Sequence, residues 1–224
     1  MKSHYRETRQ SMTPAKSLQF LQEGNGRFLN NLSVNRNLLQ LVNETAGEQF
    51  PFAAILSCSD SRISPELIFD QGLGDIFSIR LAGNIASEDA IGSMEYACKY
   101  LGSKLIVVMG HTGCGAVKGA CADFQLDNLN FLLDHIRLAI THETETHTNR
   151  TAENKVFVNN VARLNVLHNI EIILRSSSIL RGMIESGSVD IVGAMYHIET
   201  GTVNFLEDEI VIEKEMALYH NEKV

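Results

Sequence analysis

The chain has 224 residues, with 19 Lys and Arg against 27 Asp and Glu (net charge −8), and is 44% hydrophobic and 7% aromatic. A chain of this length buries well over half of its unfolded surface, so it needs no disulfide or metal merely to stay folded, and any metal site would serve chemistry. The acidic balance, without a clustered Lys/Arg surface, argues against a general nucleic-acid binder, and no run of about 18 apolar residues is present to span a membrane.

One domain over 1–224 is expected, with 1–35 an N-terminal arm and helix and 207–224 a C-terminal tail. After a polar opening, Leu18, Phe20, Leu21, Phe28 and Leu29 recur at helical spacing, predicting an amphipathic helix behind an arm of the kind that packs on a partner subunit. Ala53–Ser57 reads as a short buried strand running into Cys58-Ser59-Asp60-Ser61-Arg62, and Ser64-Pro65-Glu66 starts a helix. Ile76–Arg80 is a second strand, Ser87 opens a helix to Leu101, and 104–110 is the strongest strand of the chain. His111-Thr112-Gly113-Cys114-Gly115-Ala116 then makes a tight turn into a helix expected to reach about Gln125. Residues 127–142 and 154–184 read as further helices either side of a polar stretch at 143–150. Residues 189–196 form another buried strand, and 202–206 return as its hairpin partner after Glu199-Thr200-Gly201. Alternating strands and helices imply an α/β fold: a mainly parallel central sheet flanked by helices, with an antiparallel edge strand.

Four cysteines (58, 98, 114 and 121) are too few for a disulfide scaffold, and MKSHYRETRQSMTPAKS has no apolar core of the signal-peptide kind. A cytoplasmic chain with reduced thiols is expected. In an open α/β sheet, ligands bind beyond the carboxyl ends of the strands. Cys58, Asp60 and Arg62 leave the first strand there, and His111 and Cys114 leave the strong one. Two thiolates and an imidazole are a ligand set that catalytic Zn²⁺ takes with a fourth position open, although cobalt and iron tolerate it too. Asp60 has two possible roles: it accepts a hydrogen bond from metal-bound hydroxide, or it binds the metal itself as a fourth ligand and closes the site. A bidentate pair with Arg62 would hold it off the metal. Two thiolates also cancel the +2 of zinc, so activity should rise with pH through an apparent pKa above the value of about 7 typical of three neutral histidines.

Other polar residues have plainer readings. Cys98 and Cys121 lie in predicted helices without a partner motif and read as packing thiols. His135, His142 and His147 read as a solvated helix face and loop rather than proton carriers, and His4, His168, His197 and His220 as surface residues. The acidic run from Glu207 to Glu215 reads as a solvated or subunit-edge segment. Gly113 and Gly115 suit a backbone that must approach a metal closely beside Cys114.

Cys58-Ser59-Asp60-Ser61-Arg62 and His111-Thr112-Gly113-Cys114-Gly115 are joined by Gly24-Asn25-Gly26-Arg27-Phe28, Phe69-Asp70-Gln71-Gly72, Arg80-Leu81-Ala82-Gly83-Asn84 and Gly92-Ser93-Met94-Glu95-Tyr96-Ala97. In these motifs, over roughly residues 17–206, the sequence resembles the β-class carbonic anhydrases. The resemblance implies zinc on Cys58, His111 and Cys114, an Asp60–Arg62 dyad orienting zinc-bound hydroxide, and reversible hydration of CO₂ to bicarbonate and a proton, a lyase reaction. It implies an obligate homodimer that often pairs into tetramers, with no nucleic-acid or membrane partner. Gln49, nine residues before Cys58 in Gln49-Phe50-Pro51, matches an amide that contacts substrate across the dimer interface; Phe77, Ala82 and Tyr96 match the apolar CO₂ pocket, and Gly115 a substrate-contacting position. Members inhibited by bicarbonate carry a Trp three residues before the first Cys, where this chain has Ile55; Tyr196 resembles that branch's tyrosine, but without the Trp an open, water-bound form is expected. The alternatives on this scaffold are hydrolysis of carbon disulfide or carbonyl sulfide, or a non-catalytic zinc or bicarbonate sensor with Asp60 permanently on the metal.

Overall fold

The computed structural model describes residues 11–206. The first ten residues of the arm, with His4, and the segment 207–224, with its acidic run and His220, lie outside them. Helix α1 (Pro14–Leu29) starts where Thr13 Oγ1 accepts from the Lys16 amide, with Pro14 in the first turn, where its missing N–H costs nothing. A short helix α2 (Leu38–Thr45), capped by Asn37, was not foreseen; it buries only Leu41, too little to leave a periodic signal. Next come β1 (Ala53–Ser57), α3 (Pro65–Ile68), β2 (Ile76–Arg80), a 3₁₀ turn at Ala82–Asn84, and α4 (Glu88–Tyr96), which continues as a π turn to Leu101.

Strand β3 (Leu105–His111) runs one residue further than its apolar pattern and so carries His111 as its last member. Helix α5 (Gly115–Cys121) stops short of the expected Gln125, because Asp123 adopts φ 51° and the Phe124 amide donates back to the Gly119 carbonyl, closing the helix end. Helix α6 (Asp127–His142) matches its predicted span, and the segment 154–184 divides into α7 (Lys155–Ser176) and α8 (Ser178–Glu185) at Ser177, whose hydroxyl caps the second helix. The chain then forms β4 (Asp190–Tyr196) and β5 (Val203–Leu206).

The strand order is β2-β1-β3-β4-β5, parallel throughout except for the antiparallel β4–β5 pair. β1 and β3 are buried along their whole length, as their uninterrupted apolar sequences require of strands covered on both faces. Alternation divides their side chains between two cores. Leu56, Ile106 and Val108 pack with Val161, Val166 and Ile170 of α7, while Ile55, Val107 and Met109 pack on the face that also holds Leu21 of α1 and Ile68 of α3. From β1 the chain steps to β2 on one side and then to β3 on the other, so a crevice opens between the carboxyl ends of β1 and β3.

The second core is closed by a tight approach of α1 to the residue following α3. A Cβ on Gly24 would stand 1.8 Å from the Phe69 carbonyl oxygen, and backbone cannot swing aside as a side chain can. Gly24→Ala is expected to cost about 3 kcal/mol, the upper range for overpacking. A urea midpoint lowered at unchanged slope would show it; an unmoved midpoint would mean that α1 is not seated this way.

Candidate metal centre

Ser57 pairs with Met109, so Cys58 and His111 emerge side by side where β1 and β3 end, and Cys114 follows as the N-cap of α5. All three are buried, and their ligand atoms lie within 4.8 Å of one another. Among the described residues no other three His, Cys, Asp or Glu side chains converge in this way. The two sulfurs are 4.0 Å apart. That is far beyond a disulfide bond of about 2.05 Å, and close to the separation of about 3.8 Å between two sulfurs each bound to one tetrahedral zinc.

His111 completes the fit. Its Nδ1 lies 3.0 Å from the Thr112 carbonyl oxygen, which takes the ring proton there and leaves the lone pair on Nε2. Nε2 is buried without a hydrogen-bond partner, a costly position for a polar atom unless it serves as a ligand. The sulfurs are unequal. Cys58 is pushed down to about 4, chiefly by the hydrogen bond it shares with Cys114, helped by His111 and by the backbone amides of Gly83 and Asp60, both 3.4 Å from its sulfur. Cys114 is pushed up by the same shared bond and by burial. A divalent cation bound here would displace thiol protons, since it is the thiolate that ligates. Donor chemistry, spacing and the orphaned nitrogen all fit zinc.

Asp60 is turned toward Arg62. The guanidinium donates from Nε to Oδ1 (2.9 Å) and from Nη2 to Oδ2 (2.7 Å), and the Arg62 amide donates to Oδ1 (2.9 Å). This fork holds the Asp60 carboxyl well below the usual carboxylate range. Arg80, at the end of β2, donates to the Cys58 carbonyl (3.2 Å) and the Asp60 carbonyl (2.7 Å), pinning the backbone of the ligand loop. The sequence assigns Arg80 no role beyond its motif; an Arg at a strand end beside a turn is its only local signal. The Gly113 amide, between the other two ligands, donates to Asn159 Oδ1 (3.0 Å), and Gly113 needs its φ of 64°, whereas a Cβ on Gly115 would meet nothing within 4 Å.

The remaining predicted site residues divide. Ala82 adjoins Gly83, whose amide reaches Cys58. Gln49 instead lines a groove with Phe50, Tyr96 and Tyr100, and the Phe77 ring stands 6.1 Å from that of Tyr96. Arg62, 53% exposed, borders a different cavity of about 710 Å³ together with Thr112, Gly113, Asn159 and His197. Tyr196 is buried on β4, and burial pushes its phenol up. Cys98 and Cys121 stand apart from the cluster, with thiols raised by burial to about 12 and about 11.

His135, His142 and His147 are exposed. The surface reading fails for His168: its side chain is 11% exposed, its ring lies edge-on to that of His142 at 6.4 Å, and both ring nitrogens are buried. Helical spacing alone did not reveal that α6 covers it. The polar stretch after α6 is likewise partly interior, for Glu143 is buried and accepts from Arg150, Thr146 and Asn160.

A protein-family model described as carbonic anhydrase matches residues 53–203. Carbonic anhydrase 2 of Mycobacterium tuberculosis is 34% identical over 191 residues, covering 84% of this chain and 90% of that protein. A carbonic anhydrase of Mycolicibacterium smegmatis is 32% identical over 196 residues, 85% of this chain and 92% of the other. Among solved structures, a Coccomyxa β-carbonic anhydrase in complex with acetazolamide superposes with a TM-score of 0.66 at 27% identity, covering 73% of this chain and 75% of that one. One of two tetrameric β-carbonic anhydrases from Sordaria macrospora gives 0.65 at 27% identity, covering 75% and 87%. No helix among the described residues is long and apolar enough to cross a membrane.

Proposed function

Because the chain belongs to the β-class carbonic anhydrase family, we propose that it hydrates CO₂ to bicarbonate and a proton at the Cys58–His111–Cys114 centre, with Asp60 and Arg62 as its working dyad. The observation that carries this is the convergence of two sulfurs and an unpartnered imidazole nitrogen at the ends of adjacent parallel strands. Cys58, His111 and Cys114 would hold the zinc, which would supply Lewis acidity and bring the ionisation of water within reach of near-neutral pH. The protein supplies the geometry. Asp60, kept ionised by the Arg62 fork, offers a carboxylate oxygen that accepts a hydrogen bond from the attacking water and aims its lone pair at the carbon of CO₂. Arg80 keeps the Asp60 backbone from drifting. Ala82 and Gly115 are the small residues proposed to meet CO₂ beside the ligand turns. Engagement of Asp60 by Arg62 supports the open form over a sensor with Asp60 on the metal.

Stopped-flow hydration with zinc-loaded protein over roughly pH 6.5–9 tests this, because an essential ionisation shows itself in the pH–rate profile. Turnover should climb with pH. The depressed Asp60 titrates far below that window and contributes no limb of its own. Absence of turnover at the alkaline end would overturn the assignment.

The working unit is a homodimer or a tetramer. β2 is an edge strand, and Leu67, Leu73, Tyr96 and Tyr100 stand exposed around it, an apolar surface suited to a second copy. Gln49 lies in this region rather than on the Arg62 cavity of its own chain, which supports its serving the partner's centre. Gln49→Ala and Cys58→Ser chains, refolded together in equal amounts, should therefore recover about a quarter of native activity, since half of the two-fold dimers are mixed and each has one complete site. Recovery no greater than the sum of the separate variants would place Gln49 outside the active site. Four free thiols suit a reducing compartment, and the cytoplasm is the proposed location.

A further inference from the structure

The mechanism above leaves unused two asparagines at the centre of α7. Asn165 and Asn169 are fully buried, and asparagine in a helix interior is unfavourable unless its amide is bonded. Both bond outside their own helix. Asn165 Nδ2 donates to the Gly83 carbonyl at 2.8 Å, and Asn169 Oδ1 accepts from the Ala86 amide at 2.6 Å. Asn169 Nδ2 also donates to the Asn165 carbonyl (2.7 Å) and lies 3.2 Å from Asn165 Oδ1, so the two side chains lock each other.

The segment 83–86 is thereby gripped at two points by a 22-residue helix that packs against β3 and β4. Gly83 is held at both ends: its carbonyl by Asn165, its amide against the Cys58 sulfur at 3.4 Å. It adopts φ 71°, a left-handed backbone conformation that glycine takes without strain. The same helix holds the other ligand turn, through Asn159 and the Gly113 amide.

We propose that Asn165, locked by Asn169, is a positioning residue of the metal centre: by holding Gly83 it keeps the Gly83 N–H on the Cys58 sulfur, and that bond sets how strongly the thiolate donates to the metal. An N–H donor withdraws electron density from a thiolate, and partners one step removed from a metal commonly change affinity 10- to 100-fold when lost. The inference rests on Cys58 being a ligand, and its test separates the two claims.

Full-length protein is loaded with cobalt(II), the thiolate-to-cobalt charge-transfer band is recorded, and zinc affinity is measured by chelator competition. In Asn165→Leu the band should move to longer wavelength as the sulfur gains electron density, and zinc affinity should fall about 10-fold or more because Cys58 and its loop are no longer held in place for the metal. Val166→Ala, a neighbouring buried residue packed against the Gly110 and Gly193 positions, controls for lost stability and should leave the band in place. If Asn165→Leu does not fold, the smaller Asn165→Ala replaces it, and the native protein loaded with cadmium-113 should show coupling between the Gly83 amide proton and the metal. An unchanged band and affinity in the variant, or no Gly83 coupling, would overturn the positioning role while leaving the metal centre intact. Failure of the native protein to take up cobalt would instead overturn the metal centre itself.

Discussion

Cys58→Ser is expected to remove the bound metal and reduce CO₂ hydration to the uncatalysed background. The serine hydroxyl is a poor zinc ligand at neutral pH, whereas the Cys58 thiol is already drawn down to about 4 by Cys114, His111 and two backbone amides. With this ligand gone, His111 and Cys114 remain, and two donors do not make a closed-shell zinc site. Metal analysis should fall from about one zinc per chain to nearly none after mild chelation, because affinity depends on the full ligand set. Chelation of the native protein should give the same loss and zinc should reverse it. It should also lower thermal stability, since a ligand at 100 times its Kd contributes about 2.7 kcal/mol. Cys121→Ser is the control: Cys121 is half-buried on α5, stands outside the cluster and should retain metal and turnover. Metal retention and activity in Cys58→Ser would remove the sulfur pair from the centre.

Asp60→Asn should lower kcat/KM by about 10²–10³ with metal content unchanged, the usual range for loss of one preorganised polar contact in an active site. The amide is isosteric, but it is neutral and presents only one acceptor oxygen. Arg62→Ala should be as damaging for a different reason. It removes the two-point fork and frees the Asp60 carboxylate to turn away from its working orientation. The pH dependence distinguishes them. Because the folded pKa of Asp60 is depressed, the favourable contribution of the pair is complete above the unfolded value of about 3.9 and is lost as pH falls through the lower folded value. Without Arg62 the carboxyl returns toward its ordinary range, so the Asp60 contribution to stability should be lost at a higher pH in Arg62→Ala than in the native protein, as read from acid unfolding. Both variants should still bind zinc; a variant that loses metal together with activity would show the dyad to be structural support rather than part of the reaction.

Much of this centre was legible in the linear sequence because its determinants are local. Uninterrupted apolar runs at Ala53–Ser57 and Leu105–His111 identify strands buried on both faces, and the polar clusters after them must lie at the carboxyl edge of a parallel sheet. Cys58, His111 and Cys114 follow from that placement together with ligand chemistry, and the Asp60–Arg62 pair from a spacing of two in an extended loop. The element ends were less legible: the αL turn at Asp123 and the cap at Ser177 bound helices whose apolar patterns ran on past them.

What the sequence by itself determined, then, is which residues stand at the strand ends and what metal they suit, since period-two alternation, turn residues and donor type all act within a few positions. The tertiary structure alone decided what surrounds them: Arg80 on the Asp60 carbonyl, Asn165 and Asn169 on a loop about eighty positions away, His168 beneath α6, and Gln49 on a groove away from the Arg62 cavity. Those bonds join residues that only sheet order and helix packing bring together. A hydrogen-bond donor has no periodicity to betray its target, so its partner is fixed by where the fold leaves an unpaired acceptor.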